Sequence, residues 1–243
     1  MSHYPGIIGH RGYPAAYPEN TVSGLVAAAE AGADGVELDI RVSADGVPIV
    51  IHDPDLSRTA GRRGFVFEMD AEALAGVRVG EPERFGERFA DERLPTLADA
   101  AAALARFPDL SVFIEIKWDT PPRHQIPDVT QAVLEASEPL AGQRIIISFE
   151  ERLLQEARSL ARVPVGWALR DWDRAHQERA GTLKPEYLFC DHARLPVAPQ
   201  KLWQGPWQWV VYEVNDPGRA SELAERGVDA VETADVEAMI WGR

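Results

Sequence analysis

One cysteine in 243 residues, Cys190, leaves no partner for an intramolecular disulfide, which fits a reducing cytoplasm. No run of about 18 apolar residues occurs, so no membrane span is expected. The opening stretch MSHYPGIIGH has no basic segment leading into a long apolar one, and no secretory signal is expected. Positive charge is scarce: 25 Lys and Arg stand against 39 Asp and Glu, a formal net charge of -14. This balance disfavours nucleic acid as a partner. It also means that a site for an anionic substrate must build positive charge locally, against the field of the whole chain. Low-complexity segments and internal repeats are absent too, and no glycine-rich phosphate loop follows the first strand-like run.

What is present is ordinary globular composition, 45% hydrophobic and 26% charged, in a chain long enough to bury a sizeable core. Short β-rich runs alternate with helical patterns. GIIGH, GVELDIRV, VPIVIHD, SVFIEIK, RIIISF, VPVGWAL, EYLFCDH, WVVYEVN and VDAVET read as strands. TVSGLVAAAEAG reads as a helix with Asn20 or Thr21 near its N-cap, and Val129–Ala136, Arg152–Leu160 and Arg219–Arg226 carry helical patterns. Asp45-Gly46 is a hairpin signal, so VPIVIHD folds back on GVELDIRV. Setting that return strand aside leaves eight β/α units, closed by DVEAMIWG. The expected fold is a single-domain (β/α)8 TIM barrel over residues 1–243, with a β-hairpin and a small insertion at about Pro54–Leu110 covering one barrel end. An open doubly wound sheet is the runner-up.

Four strand ends carry charge. His10-Arg11 ends the first strand, Glu37 and Asp39 lie on the second, His52-Asp53 ends the hairpin's return, and Glu115 and Lys117 lie on SVFIEIK. Residues two apart on a strand share a face, so Glu37 pairs with Asp39 and Glu115 with Lys117 in direction. A two-residue turn at Asp45-Gly46 would set His52 opposite Asp39, and a longer turn would shift that register. Singly, each of these residues has a bland reading: a structural histidine, a solvated face, a weak ion pair. Jointly they do not, because the strands carrying them are otherwise apolar, and charge buried there needs a reason. Converging carboxylates repel one another, and a divalent cation relieves the conflict. Oxygen ligation of this kind suits Mg²⁺, Ca²⁺ or Mn²⁺ better than Zn²⁺. The histidines are then free for proton transfer, and Arg11 and Lys117 can hold a phosphate. Together these groups describe phosphoester cleavage.

The ordered string HRG, PENT, GADGVELDIRVSADGVPIVIHDPDLSRT, LPTL and IEIK resembles the glycerophosphodiester phosphodiesterases from Gly9 to about Val236. The resemblance implies a (β/α)8 barrel related to the phosphatidylinositol-specific phospholipases C. It further implies His10 and His52 as the general acid/base pair, Glu37, Asp39 and Glu115 as metal ligands, and Arg11 and Lys117 on the phosphodiester. One divalent cation, Mg²⁺ or Ca²⁺, is implied, with a small-molecule glycerophosphodiester substrate, a cytoplasmic setting, and room for an oligomer. Three departures stand out. The family's Trp-Thr-Val-Asn reads YEVN here, which puts Tyr212 in the expected lining of the pocket for the alcohol. Its Thr-Asp becomes Thr233-Ala234, and RTT becomes RTA at Arg58–Ala60.

Two rival functions use fewer of these residues. A Schiff-base aldolase would need Lys117 alone as nucleophile and leaves the histidines and carboxylates without a role. A phosphodiester-binding protein that has lost turnover would not need every turnover residue, yet all are there. Asp191-His192, Cys190, the tryptophans of LWQGPWQWV and Arg62-Arg63 are expected to be packing or surface features rather than site residues.

Overall fold

Residues 4–118, 123–198 and 200–243 are described by a computed structural model. The strands are β1 (Gly6–Gly9), β2 (Gly35–Val42), β3 (Pro48–Val50), β4 (Ser111–Ile116), β5 (Arg144–Ser148), β6 (Val165–Ala168), β7 (Tyr187–Asp191), β8 (Gln208–Tyr212) and β9 (Ala230–Thr233). The helices are α1 (Val22–Glu30), α2 (Ser57–Ala60), α3 (Ala71–Ala75), α4 (Pro82–Phe85), α5 (Leu97–Leu104), α6 (Ile126–Ala136), α7 (Glu151–Ala161), α8 (Arg174–Leu183), α9 (Pro217–Glu225) and α10 (Val236–Trp241). β1 pairs in parallel with both β9 and β2, so the eight parallel strands close into a barrel, and β3 lies antiparallel on the end of β2.

The near-continuous apolar strands follow from burial on both faces. On β2, Val36, Leu38 and Ile40 pack outward into the core shared with the helices, as do Ile114 and Ile116 on β4. The alternate positions face inward. Ile8, Phe113, Ile145, Ile147, Ala168, Phe189 and Val210 fill the barrel interior as a separate cluster. The interior is therefore packed lower down, and its polar residues are confined to the C-terminal mouth, where barrel enzymes carry their chemistry.

Where the two-residue hairpin was expected, the chain makes a longer loop. The register is Ile40↔Val50, Arg41↔Ile49 and Val42↔Pro48. Ser43 N bonds Val47 O at 3.0 Å and Gly46 N bonds Ser43 O at 3.1 Å, so Ala44, Asp45 and Gly46 form a three-residue loop. Gly46 stands at φ 88°, the left-handed position such a loop requires. Asp39 consequently faces Ile51, whose N donates to Asp39 O at 2.9 Å, and His52 lies beyond the end of β3 rather than opposite Asp39.

β3 and the segment after it build a small core of their own from Ile49, Ile51, Leu56, Val66, Leu74, Val77, Val79 and Leu94. α5 does not belong to it. Leu97, Ala100, Ala101 and Leu104 bury into the main core, and the helix packs on α1 as part of the outer ring. A capping box starts it, with Thr96 Oγ1 accepting from Asp99 N and Asp99 Oδ2 accepting from Thr96 N.

Candidate active site

The chain leaves β1 through a tight passage. A Cβ on Gly9 would stand 2.4 Å from Gly12 O, so only glycine fits there. Arg11 and Asn20 both take left-handed backbone, φ 56° and 55°, a conformation non-glycine residues adopt only when surrounding bonds hold it. Those bonds are present. Arg11 N donates to Glu37 Oε2 at 2.9 Å, and Asn20 N donates to Arg11 O at 3.0 Å. Thr21 is the N-cap of α1, its Oγ1 accepting from Gly24 N at 3.1 Å. Asn20 is thereby freed to grip Asp39 twice, Nδ2 donating to Oδ2 at 2.9 Å and Oδ1 accepting from Asp39 N at 3.1 Å.

Glu37, Asp39 and Glu115 come together as their spacing predicts. Each offers a carboxylate oxygen within 4.8 Å of the others, and all three are at least nine-tenths buried. Burial first, then the charge of Asp39, pushes Glu37 well above the ordinary carboxylate range. Burial would also raise Asp39, but Lys117, Arg11 and His52 hold it down instead. Burial raises Glu115 despite Lys117 beside it. Lys117 Nζ lies 2.8 Å from Asp39 Oδ1 and 2.6 Å from Glu115 Oε1, and Arg11 Nε lies 3.2 Å from Asp39 Oδ2. Lys117 and Arg11 meet these oxygens as ion pairs, whereas Glu37 Oε1 has no hydrogen-bond partner among the described residues. An orphaned buried oxygen in a cradle of three carboxylates fits a hard divalent cation.

The histidines flank this cradle. His10 directs Nε2 to within 3.9 Å of Glu37 Oε2, while its Nδ1 lies 2.8 Å from Glu213 Oε2. His52 Nδ1 lies 2.7 Å from Asp53 Oδ1. Burial opposes a proton on both rings. For His10 the hydrogen bond to Glu213 and the charge of Glu232 overturn it, so its pKa rises; for His52 burial prevails and its pKa falls. Arg58 then joins the two sides, with Nε 2.6 Å from Asp53 Oδ2 and Nη1 and Nη2 donating to Glu19 at 2.6 and 2.8 Å. Glu19 in turn accepts from Arg11 Nη1 at 3.1 Å.

Tyr212 sits half-buried at the same mouth, its hydroxyl pKa raised by burial and then by Glu232 and Glu115. Beside Glu115 and Lys117 opens a cleft of about 150 Å³ lined also by Arg41, Trp118, Phe149, Glu150 and Arg170.

The sequence did not single out Glu19, Arg58, Glu213 or Glu232. Glu232, on β9, is only 3% exposed, and its Oε1 has no hydrogen-bond partner among the described residues. Burial, followed by nearby charges, moves its pKa up to about 7. Asp191 serves its own turn by accepting from Ala193 N at 2.8 Å. Cys190 is a buried core residue whose thiol burial pushes up to about 12.

The sequence profile of the glycerophosphoryl diester phosphodiesterase family matches residues 10–238. The chain belongs to that family. It is thus an enzyme, a phosphoric diester hydrolase. A glycerophosphodiester phosphodiesterase from Caldanaerobacter subterraneus is 32% identical over 242 residues, spanning 96% of each chain. Among solved structures, a glycerophosphodiester phosphodiesterase from Thermotoga maritima superposes with a TM-score of 0.74 at 26% identity, covering 100% of each chain. An Oleispira antarctica phosphodiesterase, solved with its product sn-glycerol-3-phosphate, shares the fold with a TM-score of 0.85 at 24% identity, over 98% of this chain and 96% of that one. Family membership accounts for the barrel and for the string of motifs that cluster at its mouth. Among the departures, the change to Glu213 is the one that places a carboxylate against His10.

Proposed function

We propose that this enzyme hydrolyses glycerophosphodiesters to sn-glycerol 3-phosphate and an alcohol, with His10 and His52 as the proton-transfer pair and Glu37, Asp39 and Glu115 holding one Mg²⁺ or Ca²⁺. The observation that carries the reading is the cradle itself: three buried carboxylates within 4.8 Å, one oxygen orphaned, between two imidazoles and beside Arg11 and Lys117. A bound cation would supply charge neutralisation of the phosphoryl oxygens. The residues do the rest. Arg11 and Lys117 bind and orient the phosphodiester. One imidazole takes the proton of the glycerol 2-hydroxyl as that oxygen bonds to phosphorus. The other gives a proton to the departing alcohol as its P–O bond breaks. Water then opens the cyclic phosphate with the proton transfers reversed. Tyr212 lines the pocket for the alcohol. A cytoplasmic setting belongs to the same reading and is supported by the lone buried thiol.

The test is release of sn-glycerol 3-phosphate from glycerophosphocholine and glycerophosphoethanolamine, with and without EDTA. Loss of either imidazole, in His10→Ala or His52→Ala, is expected to cost about 100-fold or more in kcat, in the range of general acid–base catalysis. Activity that survives either substitution, or chelation, refutes the scheme. A Schiff-base route through Lys117 would instead be trapped by borohydride and ignore EDTA.

A further inference from the structure

His10 and Glu213 are 203 positions apart, one just past β1 and the other just past β8, yet their side chains meet at 2.8 Å. An ionised carboxylate only accepts, and burial does not keep this one neutral: the bond to His10 holds Glu213 down at about 2. Nδ1 of His10 therefore carries the proton, and Nε2 is the nitrogen turned to the carboxylate cradle.

Glu213 is itself held. Its second oxygen accepts from Asn215 Nδ2 at 2.8 Å, and Asn215 Oδ1 accepts from Thr233 Oγ1 and Ala234 N, both at 2.8 Å. The orientation of His10 thus runs back through three side chains to the end of β9. His52 has its own carboxylate, Asp53, pinned by Arg58. In the family pattern Glu213 is a threonine, whose hydroxyl branches at Cβ, two carbons short of where the carboxylate oxygens sit.

We propose that Glu213 is a positioning residue for His10, fixing the ring in the Nδ1–H form with Nε2 presented to the substrate, so that His10 and His52 both work as carboxylate–imidazole pairs. This rests on the role of His10 proposed above, and two readouts keep the two ideas separate.

The first is steady-state kinetics of Glu213→Ala, Glu213→Gln and Glu213→Thr on glycerophosphocholine. Loss of the carboxylate in Glu213→Ala is expected to lower kcat about tenfold or more while KM stays within about twofold; Glu213→Gln, whose amide oxygen can still accept from Nδ1–H, recovers a large part of the loss. The second is the ¹⁵N signals of the His10 ring, identified with His10→Ala, in metal-free protein labelled at histidine. Wild type and Glu213→Gln are expected in the Nδ1–H form, and Glu213→Ala and Glu213→Thr in a mixture. A kcat for Glu213→Ala equal to wild type, a change in KM alone, or ring signals that ignore the substitution overturns the proposal. If the wild type is inert on glycerophosphodiesters, the proposed activity fails, and the ring signals still decide whether Glu213 sets His10.

Discussion

At the scale of the residue, Glu232 is the sharpest case of charge under strain. The run VDAVET reads as a strand whose end carries an ordinary polar pair, and nothing local marks Glu232 as a buried residue within electrostatic reach of His10. Only closure of β9 against β1 places it there, with Glu232 registered on Ile8. Its raised pKa has a consequence with a definite sign. A free glutamate titrates near 4.3, this one at about 7. Between those values the folded state holds more protons than the unfolded one, so stability is full below about 4.3 and is lost as pH rises through 7. Protein stripped of divalent cations is therefore expected to melt at a lower temperature at pH 8 than at pH 5.5. In Glu232→Gln, which cannot ionise, the slope is expected to flatten, and melting curves in EDTA at both pH values measure it. An unchanged slope in the variant would rule Glu232 out as the source.

At the scale of the element, most of the barrel is legible because its strands are buried on both faces and so read as unbroken apolar runs. β2 coincides with GVELDIRV to the residue, and the charges interrupting that run were informative for the same reason. The hairpin was legible in existence but not in length. Asp-Gly fits a two-residue turn, yet Ser43 Oγ bonds both Val47 N, at 2.9 Å, and Asp45 Oδ1, at 2.6 Å, stabilising a loop one residue longer. Glu213 was out of reach in another way, since its partner stands at the opposite end of the chain. α5 shows how an element can be assigned to the wrong neighbour: its start is local, a capping box, whereas its membership of the outer ring depends on packing against α1. Removing the cap in Thr96→Ala is expected to cost about 1 kcal/mol of stability while leaving kcat and KM unchanged. Urea unfolding and steady-state assays check both parts, and a large kinetic effect would mean α5 does more than cover the barrel.

At the scale of the whole molecule, the mouth is assembled from elements remote in sequence and strapped by alternating charges. Arg58 reaches from the covering segment to Asp53 and Glu19, and Glu81 accepts from Glu19 N at 2.8 Å. Against a net charge of -14, the positive groups nearest the cradle are already engaged: Lys117 with Asp39 and Glu115, Arg11 with Glu19 and Asp39. Each cation therefore has two possible clients, the protein's own carboxylates and a phosphate from outside. In the site proposed above, a divalent ion taking over the carboxylates would release the side chains that the phosphate would need, and a phosphate drawing those side chains away would leave the carboxylates short of positive charge. Thermodynamic reciprocity then requires one coupling factor, the same in both directions. Titrations of Mg²⁺ or Ca²⁺ with and without sn-glycerol 3-phosphate, and the converse, are expected to show each ligand tightening the other by about fivefold or more. Affinities that ignore the second ligand would break the link. With the link intact, a pair of ion contacts that looks like mere structural glue becomes a rule of cooperative assembly, in which neither ligand holds its full affinity alone.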